Sequence, residues 1–199
     1  MKQFWNERFT SESYMYGEQP NVFYRDQLAY LQPGKLLLPG EGEGRNAVCA
    51  ARNGWEVTAV DYSEAGKDKA MLLAQKYQTR LEKYLIEDLN HFTPTDASFN
   101  AVALIFLHMI PGERVSLHKK LIDSLLPGGV IILEAFSKNQ LNYHSGGPRN
   151  KDMLYDIESL KEDFKLLKIE FIQEEIVFLE EGLHHHGEAS VLRMVARKL

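Results

Sequence analysis

Apolar and polar positions along this chain follow two rhythms that take turns. Asn21–Leu31, "NVFYRDQLAYL", has the spacing of an amphipathic helix with Asn21 as its cap. Lys35–Leu38 is a short apolar run that reads as a strand, and Arg45–Asn53 returns to helical spacing and stops near Gly54. "WEVTAVD" is a β-branched strand ending in Asp61, Glu64–Gln78 is helical, and "LEKYLIEDL" alternates as another strand. "NAVALIFLH" is apolar without a break, as suits a strand covered on both faces. Arg114–Leu126 reads as a helix broken by Pro127-Gly128-Gly129, and "VIILEAF" as a further strand. From Ser137 to Tyr155 the chain is polar and rich in turn residues, a long loop. "DIESLKEDF" is a short helix. Leu166–Leu179 and Ala189–Ala196 read as two strands that should pair as a hairpin across a turn spanning Glu180–Gly187.

Strand and helix alternate through most of the chain. This predicts an α/β architecture, a doubly wound and mostly parallel sheet with helices on both faces. Ligands of such sheets bind beyond the carboxyl ends of the strands, where strand order reverses. "PGEGEG", "VDYS", "EDL" and "FLH" all fall at those ends, so four separate segments converge on one edge.

The length of 199 residues suits one core, so residues 1–199 read as a single domain, with 1–31 as an N-terminal lid and helix segment. A net charge of −5, with only short basic pairs such as Lys119-Lys120, argues against a nucleic acid or anionic membrane as partner. No apolar stretch approaches the roughly 20 residues a membrane span needs. "MKQFWNERFTSESY" has no apolar signal segment, so a cytoplasmic location is expected. Cys49 is the one cysteine, which rules out an internal disulfide; within "NAVCAA" it reads as a small buried thiol.

The glycine-rich turn narrows the chemistry. Gly40, Gly42 and Gly44 allow positive φ and a close ligand approach, although a tight packing turn needs the same residues. Asp61 lies 21 residues after Gly40, at the end of the next strand, where an acid can accept hydrogen bonds from both ribose hydroxyls. A dinucleotide would set its pyrophosphate against this turn and the helix that follows, and carboxylates at Glu41 and Glu43 would repel it. The spacing is G-x-G-x-G with Arg45 next, and no Gly-Lys-Ser/Thr follows, which excludes a P-loop. S-adenosylmethionine has no phosphate and carries a sulfonium and an ammonium, so acidic surroundings suit it. Solvent exposure would explain each glutamate as simply.

With these segments in view, the chain resembles class I S-adenosylmethionine-dependent methyltransferases, and within them the small tellurite-resistance and thiopurine-methyltransferase-like group. The resemblance rests on "GEGEGRN", "VTAVDYS", "EDL", "LIFLHMIPGERVSLHKKL" and "LLPGGVIILEAF", and spans about Phe4 to Leu199. It implies seven strands in the order 3-2-1-4-5-7-6 with strand 7 antiparallel. It implies S-adenosyl-L-methionine as cofactor, with Gly40, Gly42 and Gly44 along its methionine and ribose portion and Glu41 and Asn46 among the residues that bind it. Asp61 would hold the ribose hydroxyls, Tyr62 would cover one adenine face, and Asp88 and Leu89 would meet the adenine amino group and ring. Phe106, Leu107 and His108 would stand at the methionine end and the acceptor entrance. Where this family usually has an acid two residues before the first glycine, this chain has Leu38, and Pro39 is also unusual there. That leaves the ammonium to Glu41 or another group.

His108 at the mouth of the expected site is the candidate general base, or else a pocket wall. Tyr16, Met153 and Tyr155 are candidate acceptor contacts, and Tyr14, Tyr16 and Trp5 read as lid contacts or as anchors packed on the sheet. His184–His186 invite a metal reading, but consecutive side chains diverge in extended chain, so no metal is expected. The triplet reads as an exposed turn or as a loop reaching the acceptor site. The function expected is methyl transfer to a small-molecule acceptor, with a soft thiol or metalloid oxyanion favoured. The alternatives are a non-enzymatic protein that binds S-adenosylmethionine or S-adenosylhomocysteine, which Leu38 would suit, and a nicotinamide-dependent oxidoreductase, which the turn acids disfavour.

Overall fold

Successive residues of the central strands point to opposite faces of one sheet and divide most of the core in two. The computed structural model describes residues 2–199, the side chain of Lys2 excepted. Its strands are β1 (Lys35–Pro39), β2 (Glu56–Asp61), β3 (Lys83–Ile86), β4 (Phe99–Ile105), β5 (Leu125–Phe136), β6 (Lys168–Glu180) and β7 (His186–Arg197). They form one sheet in the order β3-β2-β1-β4-β5-β7-β6. β1 to β5 pair in parallel, and β7 runs antiparallel between β5 and β6. This is the strand order, and the antiparallel β7, implied by the family resemblance.

The helices are α1 (Lys2–Phe9), α2 (Val22–Leu28), α3 (Arg45–Arg52), α4 (Glu64–Lys76), α5 (Pro111–Ser124) and α6 (Ile157–Asp163). Leu36, Leu38, Ala101, Ala103, Val130 and Ile132 point to the face covered by α2, α3 and α4. Leu37, Val102, Leu104, Ile131 and Leu133 point to the other face, under α5 and α6. The unbroken apolar run of β4 thus feeds both layers, because successive strand residues alternate sides.

Local chemistry sets the element ends. The Asn21 side chain accepts the Tyr24 N–H, which starts α2, and Ser63 does the same for α4 through Gly66. Asp156 and Ser159 form a capping box at α6. α5 begins three residues earlier than its periodicity suggests, at Pro111, whose fixed φ suits a first helical position. It ends at Ser124 and runs straight into β5, and the register with β4 shifts at the stretch holding Pro127-Gly128-Gly129. β3 covers only four of the nine residues that alternate, because Asp88 turns the chain by accepting the His91 and Phe92 N–H groups.

Two segments are more ordered than their polarity suggests. The leader forms α1, which packs on α4. There the Asn6 side-chain oxygen accepts from the Ser63 hydroxyl and the Ala65 N–H, both at 3.1 Å. The long loop after β5 holds 3-10 turns at Lys138–Asn142 and Lys151–Met153, and a bridge between Ser137 and Tyr155 closes it. No helix among the described residues is long and apolar enough to cross a membrane.

The β6–β7 hairpin overhangs the ligand edge. Phe136, the last residue of β5, pairs with Val191, so His186–Ser190 continue past it. At about 3.4 Å per residue, the hairpin tip stands roughly 17 Å beyond the end of β5.

Candidate active site

The turn after β1 is built on three left-handed glycines, with φ of 71° at Gly40, 61° at Gly42 and 86° at Gly44. A Cβ at Gly44 would lie 2.4 Å from the Cβ of Ala70, so this glycine also lets α3 approach α4. A Cβ at Gly42 would meet the Phe9 ring at 3.0 Å, which brings α1 onto the turn. Asp61 ends β2 beside it. Its two carboxylate oxygens accept the Gly42 N–H at 3.1 Å and the Ser63 N–H at 2.9 Å, and each keeps a lone pair for another donor. Burial raises the Asp61 pKa, while these N–H groups oppose the shift.

The two glutamates of the turn have different surroundings. Glu41 folds back on the start of α3, where its Oε1 accepts the Ala47 N–H at 2.7 Å. A carboxylate therefore already occupies the anion-binding N-terminus that a pyrophosphate would need. Burial pushes the Glu41 carboxyl up to about 7, against the pull of the Ala47 N–H and Arg45. Glu43 instead pairs with Lys69 Nζ at 2.5 Å and accepts the Met15 N–H at 2.8 Å. It is spent on holding the leader to α4, so only Glu41 of the two faces a ligand question. The expectation that both acids repel a pyrophosphate reduces to one acid, placed where repulsion is strongest.

The other expected cofactor contacts separate into open and committed groups. Tyr62 is half-buried after β2, its phenol pushed up to about 12 by burial and by Asp61 and Asp88. Asp88 is exposed beyond β3, with one oxygen accepting the Asn90 N–H at 2.9 Å. Leu89 is buried in the core layer under α5, and with Asn90, His91, Gly112, Glu113, Ser116 and Leu117 it lines a cleft of about 370 Å³. Asn46 is committed elsewhere: its side-chain oxygen accepts the Asn21 N–H at 2.9 Å. Leu38 is packed in the core with 1% exposure, and no acid takes its place from within β1.

At the end of β4, Phe106 is held at φ 51°, a strained value for a bulky residue, with its N–H on the Glu134 carbonyl at 2.7 Å. His108 lies two residues on. Its Nδ1 stands 2.9 Å from the Met153 carbonyl, and its Nε2 3.3 Å from the Phe136 N–H. A carbonyl only accepts and an amide N–H only donates, so the ring is neutral with its proton on Nδ1. Burial pushes its pKa down to about 4. Both nitrogens are thus engaged in tying the long loop to β5, the geometry of a pocket wall rather than of a base. Met153 contributes its carbonyl to this tie. Tyr155 is 1% exposed, donates its hydroxyl to the Leu107 carbonyl at 3.0 Å, and lies under Arg114, so it anchors the loop from behind.

Tyr16 does reach the edge. Its hydroxyl accepts from Arg8, its carbonyl from Arg45, and its ring lies 4.5 Å from that of His185. His185, in the hairpin turn, was not singled out by sequence beyond the triplet it belongs to. It is 6% exposed and packs against Phe106 at 4.4 Å and Phe136 at 5.1 Å, while His184 and His186 are exposed. The length of the first hairpin strand, Leu166–Leu179, was the available signal for an overhanging tip; the structure starts β7 at His186, which makes the turn shorter than the Glu180–Gly187 span expected from sequence. Glu181 in the same turn pairs with Arg45 at 2.7 Å. Burial would push the Glu181 carboxyl up, but Arg45 and His185 hold it down at about 2. No group of three or more His, Cys, Asp or Glu among the described residues is arranged to hold a metal ion.

Known proteins match this arrangement at the level of fold. Residues 37–129, which run from β1 to the start of β5, match the model of a methyltransferase domain. The protein described for conversion of a disulfide bond into a thioacetal group during echinomycin biosynthesis superposes with a TM-score of 0.80 at 17% identity, covering 100% of this chain and 91% of that one. TehB from Haemophilus influenzae superposes at 0.73 and 17% identity, covering 100% and 67%. The 1,6-didemethyltoxoflavin-N1-methyltransferase of Burkholderia thailandensis, solved with S-adenosylhomocysteine, superposes at 0.64 and 20%, covering 89% and 78%. This is the methyltransferase fold. No curated protein matches the chain by sequence.

Proposed function

We propose that this chain, as one domain, is an S-adenosylmethionine-dependent methyltransferase acting on a small-molecule acceptor. The observation that carries the reading is the Glu41 carboxylate on the N-terminus of α3. It leaves the glycine cradle and the Asp61 carboxylate suited to a ribose-bearing ligand without a phosphate, and it puts negative charge where an ammonium would lie. The same carboxylate disfavours a nicotinamide dinucleotide. Glu41 thereby takes the part of the acid that Leu38 does not supply. Asp61 would hold the ribose hydroxyls, Gly40, Gly42 and Gly44 would line the ligand, Tyr62 would cover the adenine, and Asp88 with the Leu89 cleft would receive its edge. The cofactor supplies the methyl group, and the residues of the chain position it and keep water away, as transfer in a closed site requires.

A small acceptor is favoured because the leader, the loop after β5 and the hairpin tip meet over the ends of β4 and β5, with Tyr16 and Gly146 against His185 and His185 against Phe106 and Phe136. The finer kinship with tellurite-resistance and thiopurine-methyltransferase-like proteins belongs to this proposal, as does a cytoplasmic location. Leu38 keeps a second reading in play, a protein that binds the cofactor without turnover. Calorimetry with S-adenosylhomocysteine, followed by turnover of methyl-labelled cofactor against a panel of thiols, metalloid oxyanions, phenols and amines, separates the readings. Tight NADH binding without S-adenosylhomocysteine binding overturns the proposal, and binding without label transfer to any acceptor supports the second reading.

A further inference from the structure

His185 has a place and a partner set that cofactor binding does not explain. Its Nδ1 faces Glu181 Oε2 at 3.4 Å, and that carboxylate is itself fixed by Arg45 Nη2 at 2.7 Å and Asn21 Nδ2 at 2.9 Å. An ionised carboxylate only accepts, so Nδ1 carries the ring proton and Nε2 keeps its lone pair. None of the described hydrogen bonds uses Nε2. Beside it stands Gly146, at φ 127°. A Cβ there would come within 2.8 Å of His185 Cδ2 and 3.4 Å of Nε2, so only a glycine lets the loop lie this close to that edge of the ring. A base oriented by a buried acid, with its second nitrogen unpaired, is the arrangement proton abstraction calls for.

We infer that His185 is the general base of the transfer and takes the proton of a phenolic hydroxyl on the acceptor, with Glu181 as its positioning residue. The inference rests on the methyltransferase reading and names its acceptor class. The rings packed on the imidazole are those of Phe106, Phe136 and Tyr16, an aromatic surround that favours a planar aromatic body over a charged one. Arg45, the cation nearest at hand for an oxyanion, is already paired with Glu181. A thiolate or metalloid oxyanion would need no base, whereas a phenol is neutral at pH 7 and does. In the step, the acceptor O–H proton passes to Nε2 and the oxygen lone pair forms the O–CH3 bond. The S–CH3 bond breaks with its electron pair staying on sulfur, and the imidazolium returns its proton to solvent. The groups facing the ring are Glu181 and His184 on the hairpin, Arg45 on α3, Tyr16 with Arg8 on the leader, and His108 after β4. Burial holds the His185 pKa below its ordinary value, with Arg45 and His184 acting in the same sense and Glu181 opposing them.

The test uses the full chain with S-adenosylmethionine and two probes, phenol and 4-nitrophenol, whose hydroxyl is largely ionised at slightly alkaline pH. Native protein should methylate both. His185→Gln should lose about 100-fold or more in kcat for phenol, a typical general-base contribution, and far less for 4-nitrophenol, with S-adenosylhomocysteine affinity unchanged. Histidine ring NMR on the native protein should find the His185 proton on Nδ1, and Glu181→Gln should lower its titration midpoint. The inference is overturned by equal losses for the two phenols, by no loss, or by a proton resident on Nε2. It is also overturned if native protein methylates thiols and neither phenol, an outcome that leaves the methyltransferase reading standing. Failure to bind S-adenosylhomocysteine at all would remove both.

Discussion

Cofactor affinity should depend on pH through Glu41, and the sign can be worked from its surroundings. In the free protein burial brings this carboxyl to about 7, so near pH 6 it is mostly protonated. One oxygen accepts the Ala47 N–H, and an ammonium placed against the other would favour the ionised form. Binding then releases a proton, and affinity follows the ionised fraction, about 3% at pH 5.5 and about three-quarters at pH 7.5, a rise of roughly 25-fold. Stability of the free protein runs the other way. The folded pKa is raised above the unfolded value, so this group's contribution is greatest at acid pH and declines as pH climbs toward 7. The decline is at most about 3 kcal/mol, and less because the carboxylate is partly open to solvent. Glu41→Gln keeps an acceptor for Ala47 and loses the charge. It should hold affinity flat across this range at the acid-side level, with no proton release. Titration calorimetry with S-adenosylhomocysteine in two buffers of different ionisation enthalpy reads both affinity and proton count. A flat native profile, or a Glu41→Gln variant with native affinity at pH 7.5, refutes the assignment of the ammonium to Glu41.

Asp61→Ala should weaken S-adenosylhomocysteine by at least tenfold in calorimetry, since a hydrogen bond to a charged acceptor contributes about 1.5–3 kcal/mol, and melting should drop as Gly42 and Ser63 lose their acceptor. Lys69→Met leaves Glu43 buried without its cation and should loosen the leader, read as faster hydrogen exchange over residues 3–20 with β4 and β5 unchanged; equal protection would place the leader's anchorage in α1 alone. His108 has a folded pKa of about 4, below its unfolded value, so its stabilising contribution is complete above about pH 6.5 and is lost as pH falls toward 4. Replacing His108 by Leu should therefore flatten the acid limb of a stability profile measured by denaturant melts, while an unchanged limb would show that the ring is not held neutral.

The sheet was legible because its signals are local. β-branched and apolar runs, Asn21 and Ser63 as caps and glycines at strand ends each depend on a few neighbouring residues. The glycine turn and Asp61 were legible for the same reason. What the sequence left open depends on partners far along the chain. Glu41 and Glu43 look alike in "GEGEG", and only the fold brings Lys69 to one and the Ala47 N–H to the other. His108 reads as a base or a pocket wall until Met153 and Phe136 occupy its two nitrogens, from 45 and 28 residues away. His185 hides in a triplet whose neighbours are exposed, because which of three consecutive side chains turns inward is decided by the twist of the hairpin and by Phe106 and Phe136 beneath it.

The ends of the site share one buried polar network, and its composition fits registration better than stability. Asn21 donates to both Glu134 and Glu181, Arg45 joins Glu181 to the Tyr16 carbonyl, and Arg193 joins Glu134 to Glu175. Desolvation offsets most of what such buried pairs contribute to folding, and apolar residues of the same volume would hold the parts together as well. Apolar contacts tolerate sliding, whereas a carboxylate held by a guanidinium and an amide does not. Methyl transfer along a line between sulfur and acceptor loses rate steeply with misplacement of about 1 Å. Arg45 begins α3, directly after the glycine turn that would hold the cofactor, and Glu181 belongs to the hairpin tip beyond the end of β5. One ion pair therefore fixes the distance between the glycine turn and the hairpin tip, which under the proposed methyl transfer would be the cofactor and acceptor ends, and the leader is keyed to the same pair through Tyr16.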